Sequence, residues 1–215
     1  MKRILFFAPL IFTTFFISCS DDDSTDSQNE SNTVSRTTIP DAAFEAALIE
    51  LGIDDELDGF VDDSRIEGVD QLVLNNKGIS DFSGLEKFPN LYNFWANGNS
   101  LTSLDVSKNT ELQFVYFEGN SVSSIDLSTL SKLEKVGASG NNLRTIDTSN
   151  NPNLQVLEIT GNAISSLDVS QNPILNILLA SDNPLNCIQV NEVQLGSIPA
   201  RWEKEVEVEY AINCN

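Results

Sequence analysis

The chain has 215 residues, 12 Lys and Arg against 32 Asp and Glu, no histidine and three cysteines, for a formal charge of −20. So large an acidic excess makes nucleic acid and anionic lipid poor partners. The lack of histidine removes the commonest general base, and so few cysteines give too few soft ligands for a structural metal site.

In chain order, Lys2 and Arg3 open the sequence and Ile4 to Ile17 is an apolar run, which fits a signal-peptide core and is too short to span a bilayer. Residues 1–18 therefore read as an export leader. The run ends in Phe16-Ile17-Ser18-Cys19, which resembles a lipobox although Phe16 stands where leucine is usual. That resemblance implies a diacylated Cys19 as the mature N-terminus, held to a membrane through its lipid alone. Ordinary cleavage beside a free cysteine is the alternative. Residues 19–38 are mostly Asp, Ser, Thr, Asn and Gln, too polar to offset the entropy of ordering, and read as a flexible stalk. Asp21-Asp22-Asp23 resembles the signal that carries some Gram-negative lipoproteins to the outer face of the outer membrane; a solubilising linker is the other reading. Loss of the leader removes Lys2 and Arg3 and leaves 10 basic residues against 32 acidic ones, a charge of −22.

Residues 39–68 read as an N-terminal cap. Asp41 suits a helix N-cap, Phe44, Ala47, Leu48 and Leu51 fall on one helical face, and Gly52 suits the stop. The stretch Asp54 to Arg65, DDELDGFVDDSR, has the alternating acids of a calcium loop, but Arg65 occupies the twelfth place, where such a loop needs a bidentate acid. It reads instead as an acidic turn.

From residue 69 to 190 the sequence repeats. Leu91, Leu112, Leu133, Leu154 and Leu175 recur every 21 residues, with apolar side chains at the first, fourth, sixth, eleventh and fourteenth places of each unit. An earlier, divergent unit carries Leu72, Leu74, Ile79, Phe82 and Leu85, with Lys77 at its ninth place, giving about six units in all. The ninth places hold Asn99, Asn120, Asn141, Asn162 and Asn183, whose amides can both donate to and accept from a buried turn. This pattern is identified as that of the leucine-rich-repeat superfamily, and the tails DFSGLEKFPN and SLDVSxN resemble the short repeats of internalin-like bacterial surface lipoproteins. The resemblance implies an α/β-type, right-handed solenoid with a parallel sheet on its concave face and short turns behind it. A second ladder, Asp105, Asp126, Asp147 and Asp168, each followed two residues later by serine, is expected to cap turns, with bound calcium as the minority reading.

Residues 191–215 break the period and read as a C-terminal cap, with a strand suggested by the alternation of Val206, Val208 and Tyr210. In an exported protein Cys187 and Cys214 are most simply a disulfide, with two buried thiols as the alternative. No catalytic motif, metal set or cofactor signature appears. On the concave strands, side chains alternate with the buried leucines, which gathers Tyr92, Trp95, Phe114, Tyr116 and Glu118 into an expected solvent-facing aromatic cluster, the candidate ligand site. The implied function is non-enzymatic recognition or adhesion through a protein ligand by an exported, lipid-anchored protein of the outer membrane and cell surface. The alternatives are a carbohydrate-binding lipoprotein and a calcium-stabilised structural protein of the envelope.

Overall fold

The structure, a computed structural model, describes residues 34–214. The leader, Cys19 and the stalk as far as residue 33 lie outside the described residues. In chain order the elements are β1 (Arg36–Thr38), α1 (Ala42–Glu50), β2 (Phe60–Asp62), α2 (Asp63–Ile66), β3 (Gln71–Val73), β4 (Asn93–Trp95), β5 (Phe114–Tyr116), β6 (Lys135–Gly137), β7 (Val156–Glu158), β8 (Leu167–Asp168), β9 (Ile177–Leu179), β10 (Cys187–Gln189), α3 (Glu192–Gly196), β11 (Arg201–Glu203) and β12 (Glu209–Ala211).

The 21-residue period produces one three-residue strand per turn, and stacking those turns builds a parallel sheet of seven strands in the order β11-β9-β7-β6-β5-β4-β3. Register follows the sequence period without slippage. Asn93 lies beside Phe114, Phe114 beside Lys135, and Lys135 beside Val156. The central residue of each strand, such as Phe94, Val115, Val136 and Leu157, is buried, because a side chain that points away from its neighbours in a pleated strand enters the core. This is a leucine-rich-repeat solenoid, and its first-, fourth-, sixth- and eleventh-place side chains join those of both end segments in one continuous core from Ile39 to Val208.

The seventh strand comes from the segment expected to be only a cap. Arg201, Trp202 and Glu203 pair in parallel with Ile177, Leu178 and Leu179, so the repeat sheet runs past residue 190. The expected strand over Val206 to Tyr210 is displaced. Val206 is exposed, Val208 is buried, and β12 starts at Glu209 and pairs with β10. Cys187 and Cys214 form the disulfide, which ties β10 to the chain just past β12.

At the other end, Asp41 caps α1 by accepting from the amides of Ala43 and Phe44, and Gly52 follows the helix at φ +73°. Phe44 packs edge-on against Phe82 with centroids 4.9 Å apart, and Phe82 packs edge-on against Phe94 at 5.0 Å, which joins the cap helix to the first two repeats. Two expectations are corrected here. Leu51 is exposed because the helix has already ended, and the buried position is taken by Glu45, whose carboxylate accepts from the amides of Asp58, Gly59 and Phe60. The acidic turn is therefore held by the protein's own groups, with Arg36 to Asp58 and Arg65 to Asp55 as ion pairs. Strand β1 lies inside the stretch read as stalk. It pairs antiparallel with β2, from Arg36 opposite Asp62 to Thr38 opposite Phe60, so order begins before residue 39.

Two asparagine ladders hold the turns together. In the ninth-place ladder, Asn120 donates to the carbonyls of Ala96 and Phe117 and accepts from Leu101 N. Asn141 repeats this with Phe117, Ala138 and Val122. Asn99, Asn162 and Asn183 do the same at their levels. The glycines that precede four of them, Gly98, Gly119, Gly140 and Gly161, all lie at positive φ, a region that costs little only without a Cβ. The second ladder comprises Asn109, Asn151 and Asn172, the last residue of each SLDVSxN-like tail, all fully buried. Asn109 donates to the carbonyls of Leu85 and Phe88, Asn151 to those of Leu127 and Leu130, and Asn172 to those of Thr148 and Asn151.

Candidate functional site

The outward positions of the seven-stranded sheet alternate with the buried ones, so they form two straight rows. One carries Asn93, Phe114 and Lys135; the other carries Trp95, Tyr116, Gly137 and Glu158. Parallel strands set side chains of one row close together, which brings large rings face to face. Trp95 and Tyr116 stack with centroids 4.2 Å apart and planes at 26°. The next position of the row after Tyr116, Gly137, has no side chain. A Cβ on Gly137 would collide with the Tyr116 ring, so that ring leans over the glycine.

The five candidate residues therefore fall into two pairs and a flanking acid. Tyr92 meets Phe114 edge-on at 6.4 Å, and Lys135 Nζ lies 5.2 Å from the centre of the Phe114 ring. The cluster differs from a freely solvated patch, since all five residues are half-buried. The reason is that each ring covers a face of its neighbour, which lowers the cost of displaying aromatic surface on a sheet.

Trp95 is held in place from two directions. Its Nε1 donates to Asn93 Oδ1 at 2.5 Å, and Asn93 Nδ2 donates to Gln71 Oε1 at 2.9 Å. On the side away from Tyr116 lies a shallow depression of about 320 Å³ lined by Gln71, Val73, Asn75, Asn93 and Trp95. Gln71 and Asn75 were not singled out by sequence because their repeat is the divergent one; the signal was their place in the same outward rows as Asn93 and Asn97.

Glu118 stands two residues beyond Tyr116 and is half-buried. Burial, and then the neighbouring Glu158, hold its carboxyl above the usual glutamate range. The Tyr116 hydroxyl is likewise pushed up by burial, then by Glu158 and Glu118. For Glu118 the folded chain binds the proton more tightly than the unfolded chain. The stability this contributes is fully present below the ordinary glutamate pKa and is lost as pH rises through the raised value. Glu118→Gln, which cannot ionise, is therefore expected to raise the melting temperature by a few degrees at neutral pH and to leave it unchanged in acid. Thermal melts at both pH values test this, and a lower neutral melting temperature for the variant would count against it.

The Asp–Ser ladder behaves as a set of caps. Ser107 N donates to Asp105 Oδ1, Ser128 N to Asp126, Ser149 N to Asp147 and Ser170 N to Asp168, each at 2.9 Å. Asp105 is held below the ordinary carboxylate range chiefly by the Ser107 amide, and Asp126 and Asp147 chiefly by the hydroxyls of Ser128 and Ser149.

Stacked parallel turns, ladder asparagines and closed ends together define the leucine-rich-repeat fold. Solved structures of low sequence identity share it. An internalin of Listeria monocytogenes (InlF) superposes with a TM-score of 0.65 at 18% identity, over 82% of this chain and 57% of that one. Internalin C2 of Listeria monocytogenes does so with a TM-score of 0.54 at 20% identity, over 81% of this chain and 90% of that one. The LRIM1/APL1C complex gives 0.58 at 21% identity, over 70% of this chain and 30% of that one. The chain thus spans little more than half the length of the InlF structure. No protein-family model and no curated protein matches the sequence.

Proposed function

We propose that this chain is a non-enzymatic recognition protein that binds another protein through the outer face of its parallel sheet, exported and anchored to the cell envelope by a lipid on Cys19. The observation that carries the reading is the Trp95–Tyr116 stack, two aromatic residues fixed by packing and by the Asn93 bond on a face free of turns. Tryptophan and tyrosine dominate binding hot spots because they bring large contact area at small entropic cost, and a fixed ring has already lost most of that entropy. The fold adds support, since repeat scaffolds present extended sheet surfaces for binding; one structure of similar fold is itself a complex, that of LRIM1 and APL1C.

The test is capture from a surface extract, followed by affinity measurement on the captured protein. Trp95→Ala with Tyr116→Ala is expected to weaken binding by at least about 30-fold, the equivalent of one hot spot of about 2 kcal/mol, while the variant melts as a folded protein. Unchanged affinity in a normally melting variant would remove the site. The anchor is tested separately. Cys19→Ser is expected to abolish metabolic labelling by palmitate, and retained label would exclude Cys19 as the acyl site.

A carbohydrate ligand is the second reading, favoured by the depression beside Trp95, where side-chain amides of Gln71, Asn75 and Asn93 surround the indole. A glycan retained by the wild type and lost with Trp95→Ala alone would support it.

A further inference from the structure

We propose that the depression beside Trp95 seats an extended, uncharged peptide segment of the docking protein and holds it by its main-chain carbonyls. The inference rests on the protein-recognition reading and adds the chemistry of the segment that the partner presents.

The direction of hydrogen bonding decides that chemistry. An indole N–H can only donate, so the Asn93 atom that meets Trp95 Nε1 must be its oxygen. The Asn93 amide nitrogen therefore faces Gln71, and the Gln71 atom that receives it, at 2.9 Å, must again be oxygen. That leaves the Gln71 NH2 group without a partner among the described residues. Asn75 reaches the same state independently. Its Oδ1 accepts from the main-chain N–H of Asn97 at 2.8 Å, a group that can only donate, so the Asn75 nitrogen is also left without a partner among the described residues. The relay from Trp95 thus ends in free donors, and all three amide oxygens already accept.

Around those donors the lining is apolar and uncharged. It consists of Gln71, Val73, Asn75, Asn93 and Trp95, with no acid or base among them. Val73 is 42% exposed, and Trp95 bounds the depression on the side opposite its stack with Tyr116.

Three ligand classes separate on this basis. A carboxylate is a pure acceptor, but nothing in the lining compensates its charge and the chain as a whole carries −20. A sugar hydroxyl that accepts from Gln71 or Asn75 must also donate its own proton, and the amide oxygens it would meet are taken. An extended peptide brings neutral acceptors, its N–H groups can turn to water, and its flat amide planes suit an indole and a valine. Proline residues suit such a seat best, because they carry carbonyls and no N–H.

The experiment uses the full chain and N-acetyl-hexaproline dimethylamide, an extended peptide without any N–H group. The side-chain NH2 resonances of Gln71 and Asn75 are followed as it is added, with cellohexaose and sodium acetate in parallel titrations. The expected result is a saturable shift of both resonances with the proline peptide alone. Gln71→Glu and Asn75→Asp each keep the oxygen that accepts within the fold and remove only the free donors, so both should melt as the wild type does. Each is expected to weaken binding of the proline peptide at least about 10-fold, read at the Trp95 indole N–H. Saturation by cellohexaose would overturn the proposal in favour of the carbohydrate reading, and saturation by acetate would overturn the neutrality of the ligand. Proline binding indifferent to both variants would remove the donors from it, and no saturation by any probe would remove the seat. If the proline peptide fails while partner capture still depends on Trp95 and Tyr116, the peptide seat falls and the recognition surface stands. If capture is also independent of those rings, both fall.

Discussion

Asn141→Ala is expected to lower the unfolding free energy by about 3 kcal/mol, from three hydrogen bonds lost at about 1 kcal/mol each. The partners are the carbonyls of Phe117 and Ala138 and the amide of Val122, which Asn141 bonds at 3.0, 3.1 and 3.0 Å. Asn141 is the most informative member of its ladder because it is buried and sits in the middle of the stack, where no end cap can absorb the loss. The figure uses the ordinary net worth of a hydrogen bond, since the carbonyls of Phe117 and Ala138 keep their bonds from Asn120 and Asn162 and a water can enter beside the Val122 amide. For a domain of this size it corresponds to a fall in melting temperature of about 6 to 12 °C. Asn141→Asp separates hydrogen bonding from size. Its carboxylate oxygens would face two carbonyls, so the loss at neutral pH should equal or exceed that of alanine and should shrink in acid, where a protonated carboxyl regains one donor. A thermal melt of either variant that matches the wild type would show that the ladder is ornamental to stability.

Reduction of the Cys187–Cys214 bond, or the double substitution to serine, is expected to cost about 3 to 4 kcal/mol on the chain-entropy model for a bridge with a sequence separation of 27 residues. The loss should be local in consequence. The bridge fastens β10 to the segment after β12, and that segment covers the last turn of the core through Val208 and Tyr210. Without it the final strand pair should open first, while the middle turns keep their protection. Hydrogen exchange should therefore speed up at Ile188 and Val190 well before Val115 or Val136. Uniform acceleration along the whole chain would mean that the solenoid unfolds as a single unit instead.

Much of this architecture is legible in the sequence because a repeat supplies the same information several times over. One turn with apolar residues at its first and fourth places is ambiguous, but five at a fixed spacing of 21 fix both the strand and its register. The ninth-place asparagines stand out for the same reason. What escaped lies where periodicity is silent. Asn109, Asn151 and Asn172 recur, but Leu130 takes that place in the turn between the first two, and a polar residue at the end of a serine-rich tail looks like solvent-exposed turn. Strand β1 carries no apolar alternation; it forms because β2 lies beside it and because Thr37 Oγ1 donates to Asp63 Oδ1. Burial of Glu45 is a tertiary effect, since only the fold brings three amides of the acidic turn to its carboxylate. On the candidate site, the sequence places the five residues on one face, and only the register reveals that Trp95 and Tyr116 stack and that Gly137 decides which way they lean.

The ninth-place ladder also bears on how such a chain can lengthen. Each asparagine bonds only to its own turn and to the one before it, as Asn120 does with Phe117 in the first case and with Ala96 and Leu101 in the second. A whole unit copied and spliced between Asn120 and Asn141 would find every one of these partners waiting at the right height, whereas a single inserted residue would strand them all. Duplication in multiples of one turn is thus nearly free of structural cost, and each copy enlarges the sheet face by one more strand on which outward side chains can diverge.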